Sequence, residues 1–343
     1  MKGFVKISRY AGMREDLVQA GGGNSSFKIS DTNMIIKASG YQLADITEED
    51  GYTKIDHKMI EEFFMNCKDP ELLTEQDGKE ILEKCVINGK RPSIETFLHS
   101  ISGRYTLHTH PVVVNVLACR KGGMDVLKDL FPEAMCVLYA TPGIELAKAY
   151  YIAYKALNRG RLPDIVFLQN HGLVVSADDA DEVIKKTEQV LRKIETYLEM
   201  CPTGYHEVTD LWKCFPDKIV WKVTDSNIMD TYGKLGEWNH TFCPDCVVFL
   251  GKRFLKLSSP FSESDINRFR ERYGMPVVVD LNDHLYIIAD NVKKALETQS
   301  VMSFSAQVMG MNAGYDCEML SESEMDYLLD WDSEKYRKTM KCT

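Results

Sequence analysis

Short apolar runs rich in Val, Ile and Leu alternate along this chain with longer stretches whose apolar residues recur at helical spacing. That alternation restricts the fold to the α/β class, because each period demands its own secondary structure. The pattern predicts a first helix over about residues 3–18, then a Gly-rich turn, AGGGNSS, at 20–26. The stretches FKIS and MIIKAS alternate as paired strands do. Helices are predicted over 56–66 and over 93–102, the latter opening after Pro92 with Ser93 as N-cap. RYTLHTHP is a strand that ends at Pro111, and VVVNVLA after it is too short for its period to separate buried helix from strand. A strand at 134–140, a helix at 144–158, a strand at 164–168, a tight turn at Gln169–Gly172 and the strand LVVS follow. Helix 178–199 carries Glu182–Lys186 and Glu188–Arg192 at salt-bridge spacing, which predicts a solvated outer face.

MCPTGYH near 200–206 is a linker in this reading and divides the 343 residues into domains 1–203 and 204–343. In the second, CVVFLG, MPVVVDL and LYIIAD are predicted strands, and 263–273 and 290–310 predicted helices. The formal net charge of -10 and the absence of a basic patch argue against nucleic acid as a partner. The N-terminal MKGFVKISRYAGMRED has no apolar core of a signal peptide, and no run approaches a membrane span. A soluble cytoplasmic protein without a membrane partner is expected. The 10 cysteines are scattered in the manner of reduced thiols. Cys243 and Cys246 form a lone CPDC, either a weak metal or redox signal or a turn before VVFLG.

His108 and His110 flank Thr109 on a predicted strand. Residues two apart on a strand face the same side, about 7 Å apart along the backbone, so the two imidazoles can converge on one ion. A pair of ordinary strand histidines is the competing reading. His171 lies in a QNHG turn between two strands, where Gly172 permits a tight reversal that projects the ring from a sheet end. Zinc favours imidazole nitrogen, and a catalytic zinc commonly takes three protein ligands and keeps one open position. Glu95, in PSIETFLH, is a fourth ligand or general base, or else a carboxylate favoured by a helix dipole or paired with His99 on the surface. The turn Gly21–Ser26 offers unhindered backbone N–H groups and hydroxyls of the kind a phosphate needs, without being a P-loop.

Six segments in this order and spacing resemble the class II aldolase/adducin family: GGGNSSFK (21–28), KASG (37–40), PSIE (92–95), HTHP (108–111), YATPGIEL (139–146) and NHGLVV (170–175). The resemblance covers roughly residues 5–200. With EKYR (334–337) near its end, the chain is similar to the longer rhamnulose-phosphate-aldolase-like branch. The resemblance implies an α/β/α sandwich around a central, mainly antiparallel sheet, with an additional C-terminal α/β region of no assigned role. It implies zinc, or another divalent metal such as Mn2+ or Co2+, held by His108, His110, His171 and Glu95. Glu95 would be a ligand at rest and a base in turnover. It also implies phosphate contacts from Gly23, Asn24, Ser25, Ser39, Gly40 and Ser93, with Lys28 and Lys37 adding positive charge. The serine pair of short fuculose-phosphate aldolases is here Ser93-Ile94, so one phosphate hydroxyl is missing.

The activity so implied is reversible cleavage of a ketose 1-phosphate, or related sugar, to dihydroxyacetone phosphate and an aldehyde. Alternatives on the same metal site are a sugar-phosphate 4-epimerase, a dehydratase or a decarboxylase. A non-enzymatic adducin-like binding module is disfavoured, because such proteins lack the metal histidines. The expected partners are a small sugar phosphate and further copies of the chain, as a tetramer or dimer.

Overall fold

The computed structural model describes residues 1–157, 160–200 and 204–330. The chain divides into two compact units, residues 1–202 and 203–343. EKYR lies outside the described residues, as do the central residues of the predicted linker, 201–203.

The first unit opens with α1 (Lys2–Gly12), the hairpin of β1 (Asn24–Lys28) and β2 (Asn33–Lys37), then β3 (Tyr52–Asp56) and α2 (His57–Met65). It continues through α3 (Glu75–Lys84), β4 (Val86–Gly89), α4 (Thr96–Ile101), β5 (Tyr105–Thr109), α5 (Val112–Ala118), α6 (Gly123–Leu130) and β6 (Met135–Val137). It closes with α7 (Ile144–Leu157), β7 (Ile165–Leu168), β8 (Gly172–Ala177) and α8 (Ala180–Tyr197). The eight strands form one sheet in the order β4-β3-β2-β1-β5-β8-β7-β6, antiparallel throughout except for the parallel pair β6–β7.

Helices cover both faces, making an α/β/α sandwich as the resemblance implied. Met34, Ile36, Ile55, Val166 and Val174 point to the side where Phe64 of α2, Phe97 and Leu98 of α4, and Tyr150 and Tyr151 of α7 complete one core. On the other side α1 packs against β1, β5 and α8, and α5 and α8 pack against β8. Cross-strand partners share a face. Because Asn24 pairs with His108, and His108 with Val174, these three share the face that carries α4 and α7.

Local chemistry explains where elements depart from the sequence reading. α1 ends at Gly12, short of residue 18, with Met13 as its C-cap; Gly12 packs so closely on the backbone of Leu43 and Ala44 that a Cβ would lie 2.1 Å from the Ala44 nitrogen. VVVNVLA resolves as the helix α5, with Pro111 in the N-cap position and the buried residues Val113, Val114, Leu117 and Ala118 on its inner face. In α8, Glu188 turns inward to Tyr10 and Arg14, Lys186 reaches Asp164 at 2.7 Å, and Glu182 takes Lys185 at 3.0 Å. Part of the predicted solvated face therefore serves packing.

The second unit contains α9 (Tyr205–Cys214), β9 (Ile219–Lys222), α10 (Ser226–Leu235), α11 (Pro244–Leu250), β10 (Leu255–Leu257) and α12 (Glu263–Tyr273). It continues with β11 (Val278–Leu281), β12 (His284–Ala289), α13 (Val292–Met311) and α14 (Glu322–Asp330). Its sheet runs β10-β11-β12-β9, with β10–β11 parallel and the other pairs antiparallel. CVVFLG, expected as a strand, lies in the helix α11. Pro244 starts it and Gly251, at φ 75°, follows its last residue, while Cys246, Val247 and Leu250 bury one helical face. No helix among the described residues is long and apolar enough to cross a membrane.

Candidate metal centre

β5 delivers His108 from within the sheet, and His110 follows one residue after the strand ends. His171 stands in the turn between β7 and β8. That turn forms because Asn170 adopts φ 53° and because Gly172 has no side chain; a Cβ there would lie 2.2 Å from the Thr109 carbonyl oxygen. Glu95 sits in the N-cap position of α4 on the same face of the sheet.

These four side chains converge. His108 Nε2 lies 3.1 Å from His110 Nε2 and 3.3 Å from His171 Nε2. Glu95 Oε1 is 3.2 Å from His108 Nε2 and 3.5 Å from His171 Nε2. All four ligand atoms lie within 4.8 Å of one another. Four ligands about 2.0–2.1 Å from one zinc ion at tetrahedral angles would stand about 3.3–3.4 Å apart. The spacing therefore fits a small divalent cation.

Tautomer chemistry supports the same conclusion. His108 Nδ1 faces the Leu173 carbonyl oxygen at 3.0 Å. A carbonyl only accepts, so Nδ1 carries the proton and neutral His108 turns a lone pair on Nε2 toward the other two rings. Burial favours the neutral form of His108, but Glu95 and the Leu173 carbonyl outweigh it and hold its pKa above the ordinary value. Burial, reinforced by His108, pushes His110 down to about 3. Burial would raise the Glu95 carboxyl, yet His108 and the other two imidazoles hold it well below the usual range. Without a cation, Glu95 thus favours a second proton on His108 Nε2; a divalent cation at the same point would displace that proton and take the Nε2 lone pair together with the carboxylate.

Around this centre lie the chain's other expected contacts. Gly22 packs on His110, and a Cβ there would meet Nδ1 at 2.9 Å. Gly23, at φ 74°, leaves no room for a Cβ between Val18 and the His108 carbonyl. Asn24 is fully buried; its Oδ1 accepts from the Ser25 amide, and its Nδ2 has no partner among the described residues. Lys37 donates to the carbonyls of Tyr41 (2.8 Å) and Gly21 (3.4 Å), tying the Gly-rich turn to the segment carrying Ser39 and Gly40. Burial lowers its pKa, and the attraction of Glu95 opposes this. A bridge between Ala38 and Pro92 sets Ser39 and Gly40 beside Ser93, whose hydroxyl accepts from the Glu95 amide at 3.4 Å.

Two expected residues stand elsewhere, for reasons of strand geometry. Ser25 alternates to the opposite face, where its hydroxyl meets Ser8 of α1 at 2.7 Å. Lys28 lies four residues beyond Asn24, about 13 Å along the strand, and donates to the Ser102 carbonyl at 2.6 Å. Burial pushes its pKa down to about 8. His99 likewise does not form a surface pair with Glu95. It is fully buried, with Nδ1 2.7 Å from the Ser26 hydroxyl.

Other residues support the centre without having been marked by motif. Asn115 Nδ2 donates to the His171 carbonyl at 3.1 Å and fixes that turn from α5. The His110 amide donates to the Leu17 carbonyl (2.8 Å) and the Val112 amide to the Asp16 carbonyl (2.9 Å). The segment supplying those carbonyls is held by fully buried Arg14, which pairs with Asp16 and Glu188. The Arg14–Glu188 pair spans 174 residues, so local pattern carries no sign of it.

A family model described as Class II Aldolase and Adducin N-terminal domain matches residues 2–198, more than half of the chain. The chain belongs to the class II aldolase and adducin family. Similar solved structures include the N-terminal class II aldolase domain of a conserved protein from Thermoplasma acidophilum. It is 25% identical, with 57% of this chain and 92% of that one covered and a TM-score of 0.49. The L-fuculose-1-phosphate aldolase of Thermus thermophilus is 18% identical, with 62% and 97% covered and a TM-score of 0.37. A sugar-phosphate aldolase from Thermotoga maritima is 14% identical, with 61% and 94% covered and a TM-score of 0.39. No curated protein matches the chain. Membership accounts for the sandwich over the first 200 or so residues; it does not extend to the second unit.

Proposed function

We propose that this family member is a metal-dependent aldolase that reversibly cleaves a ketose 1-phosphate, or a related sugar, into dihydroxyacetone phosphate and an aldehyde. The observation that carries the proposal is the convergence of three imidazoles and one carboxylate beside a glycine-rich turn and a buried lysine. His108, His110, His171 and Glu95 would hold the ion, with zinc favoured by the nitrogen-rich set. A divalent ion there supplies Lewis-acid polarisation of the ketose carbonyl and a counter-charge for the negative charge that bond cleavage develops.

The chain's own groups supply the rest. Cleavage of C3–C4 leaves the electron pair on C3 of the dihydroxyacetone phosphate half. The C4 hydroxyl gives up its proton to solvent as it becomes the aldehyde carbonyl, and Glu95, protonated from solvent in exchange, delivers a proton to C3; in the synthetic direction its carboxylate removes that proton. Asn24 offers the phosphate its unpartnered Nδ2, and Gly23 lets the backbone approach closely. Ser39, Gly40 and Ser93 contribute a second edge of the cradle, and Lys37 contributes charge. Leu173, through its carbonyl, and Asn115 keep His108 and His171 oriented.

Incubation of zinc-loaded protein with a panel of ketose 1-phosphates, with enzymatic detection of dihydroxyacetone phosphate, tests the reading. Release from at least one sugar, abolished by chelation and restored by metal, is expected. Recovery of a C4-epimerised sugar phosphate without dihydroxyacetone phosphate would replace the aldolase by an epimerase on the same centre.

A further inference from the structure

Cys243-Pro244-Asp245-Cys246 takes no part in the proposed reaction. Cys243 immediately precedes α11 and Cys246 lies in its first turn, so spacing by three places both on one side of the helix. Their sulfurs are 3.7 Å apart. A disulfide needs about 2.05 Å, a closure of roughly 1.7 Å that side-chain rotation at the start of a helix can supply.

The two sulfurs differ in access. Cys243 is half-buried, whereas Cys246 is fully buried. Ser305 of α13, itself fully buried, accepts from the Trp238 indole at 2.9 Å on the side of α13 that meets α11. Burial, together with the neighbouring Cys243 sulfur, pushes the Cys246 thiol up to about 12. One reachable thiol backed by one shielded thiol is the division of labour that thiol–disulfide exchange requires. Metal binding is less suited to the pair. Among the described residues, the cluster of Glu95 with the three histidines is the group of three or more metal-binding side chains that converge, and it contains neither cysteine.

We propose that Cys243 and Cys246 are a redox-active dithiol that reduces a small-molecule disulfide and closes into an intramolecular disulfide. The Cys243 thiolate attacks one sulfur of the disulfide RSSR. A Cys243–SR mixed disulfide forms, and the first RS– leaves and takes up the proton lost from Cys243. Cys246, deprotonated in turn, attacks the Cys243 sulfur, and the second RS– leaves with its proton. Two electrons pass from the pair to the substrate, which ends as two thiols. The bond closes the first turn of α11, the helix that packs on α13 and α14.

The test uses the full-length native chain and oxidised glutathione as probe, with timed quenching by an alkylating agent and peptide mass mapping. Cys119, which is exposed, serves as an internal control for simple accessibility. The expected result is loss of both alkylatable thiols from the peptide spanning 243–246, ahead of Cys119 and reversed by dithiothreitol. Cys246→Ser should accumulate a stable glutathione adduct on Cys243, and Cys243→Ser should leave Cys246 unreacted. The wild-type mapping stands without the variants should either fail to fold. Oxidation of Cys119 while Cys243 and Cys246 stay alkylatable would overturn the proposal. So would a wild-type glutathione adduct on Cys243 that never closes onto Cys246.

Discussion

The two units treat buried polarity differently. In the first, the centre of the eight-stranded sheet carries Asn24, Ser26 and His108, with His99 packed against Ser26, and all four are fully or almost fully buried. Asn24 Nδ2 and His99 Nε2 have no hydrogen-bond partner among the described residues. In the second, the central strands carry Val278, Val279, Leu281, Leu285 and Ile287, and the buried Asp280 is met by Tyr232 at 2.6 Å and by Lys256 at 3.4 Å. An unpaired buried polar group costs about 1–3 kcal/mol. Orphaned atoms also occur at Arg9 and His57 in the first unit and at Arg270 in the second, so what sets the first sheet apart is that its orphaned Asn24 and His99 atoms lie on strands or helices beside three converging imidazoles and a carboxylate.

Breaking the first unit's centre should give the largest effect. His108→Ala is expected to reduce bound metal from about one ion per chain to almost none, a greater loss than the roughly 10–100-fold that removing an outer-shell partner produces. Cys243→Ser should leave metal content unchanged. Elemental analysis of dialysed protein reads both, and equal loss in the two variants would erase the distinction between the units. Glu95→Gln comes next. It should keep most of the metal and lose roughly 10²–10⁴-fold in kcat, measured as dihydroxyacetone phosphate release; unchanged turnover would remove Glu95 from its role.

Lysine substitutions sharpen the comparison within one sheet. Lys37→Met should raise KM for dihydroxyacetone phosphate about tenfold or more, as loss of a charged contact worth about 1.5–3 kcal/mol predicts, without a matching change in KM for the aldehyde. Lys28→Met should move neither, because Lys28 sits at the far end of β1. Glycine substitutions give the smallest effects. Gly172→Ala forces a Cβ onto the Thr109 carbonyl and should destabilise by about 1–3 kcal/mol. Gly233→Ala, in α10 with open space around it, should stabilise by about 0.4–1 kcal/mol. Thermal denaturation separates them by the sign of the shift.

What is legible in the sequence follows the same division. His108 and His110 can be placed on one side of a strand because alternation is a local rule, and the Gly after His171 announces its turn. The hairpin of β1 and β2 and the strands β11 and β12 are legible for the same reason. Alternation applied residue by residue also explains why Ser25 faces Ser8: neighbours on a strand point oppositely, whatever motif they share. The helix α11 departs from the expected strand because a short apolar run has no decisive period, although Pro244 and Gly251 bracket it. Arg14 with Glu188, His99 with Ser26 and Asn115 with the His171 carbonyl join residues far apart in sequence. They are products of tertiary packing, and no local spacing encodes them.

The central claim is that His108, His110, His171 and Glu95 hold a divalent ion that serves proton transfer at the carbon next to a ketose carbonyl. Proton exchange into dihydroxyacetone phosphate in heavy water, followed by NMR with and without chelator, tests it most directly, because it requires no knowledge of the aldehyde. The account predicts stereospecific exchange by the metal-loaded protein, lost on chelation and restored by zinc. Absence of exchange from protein shown to carry one ion per chain would contradict it.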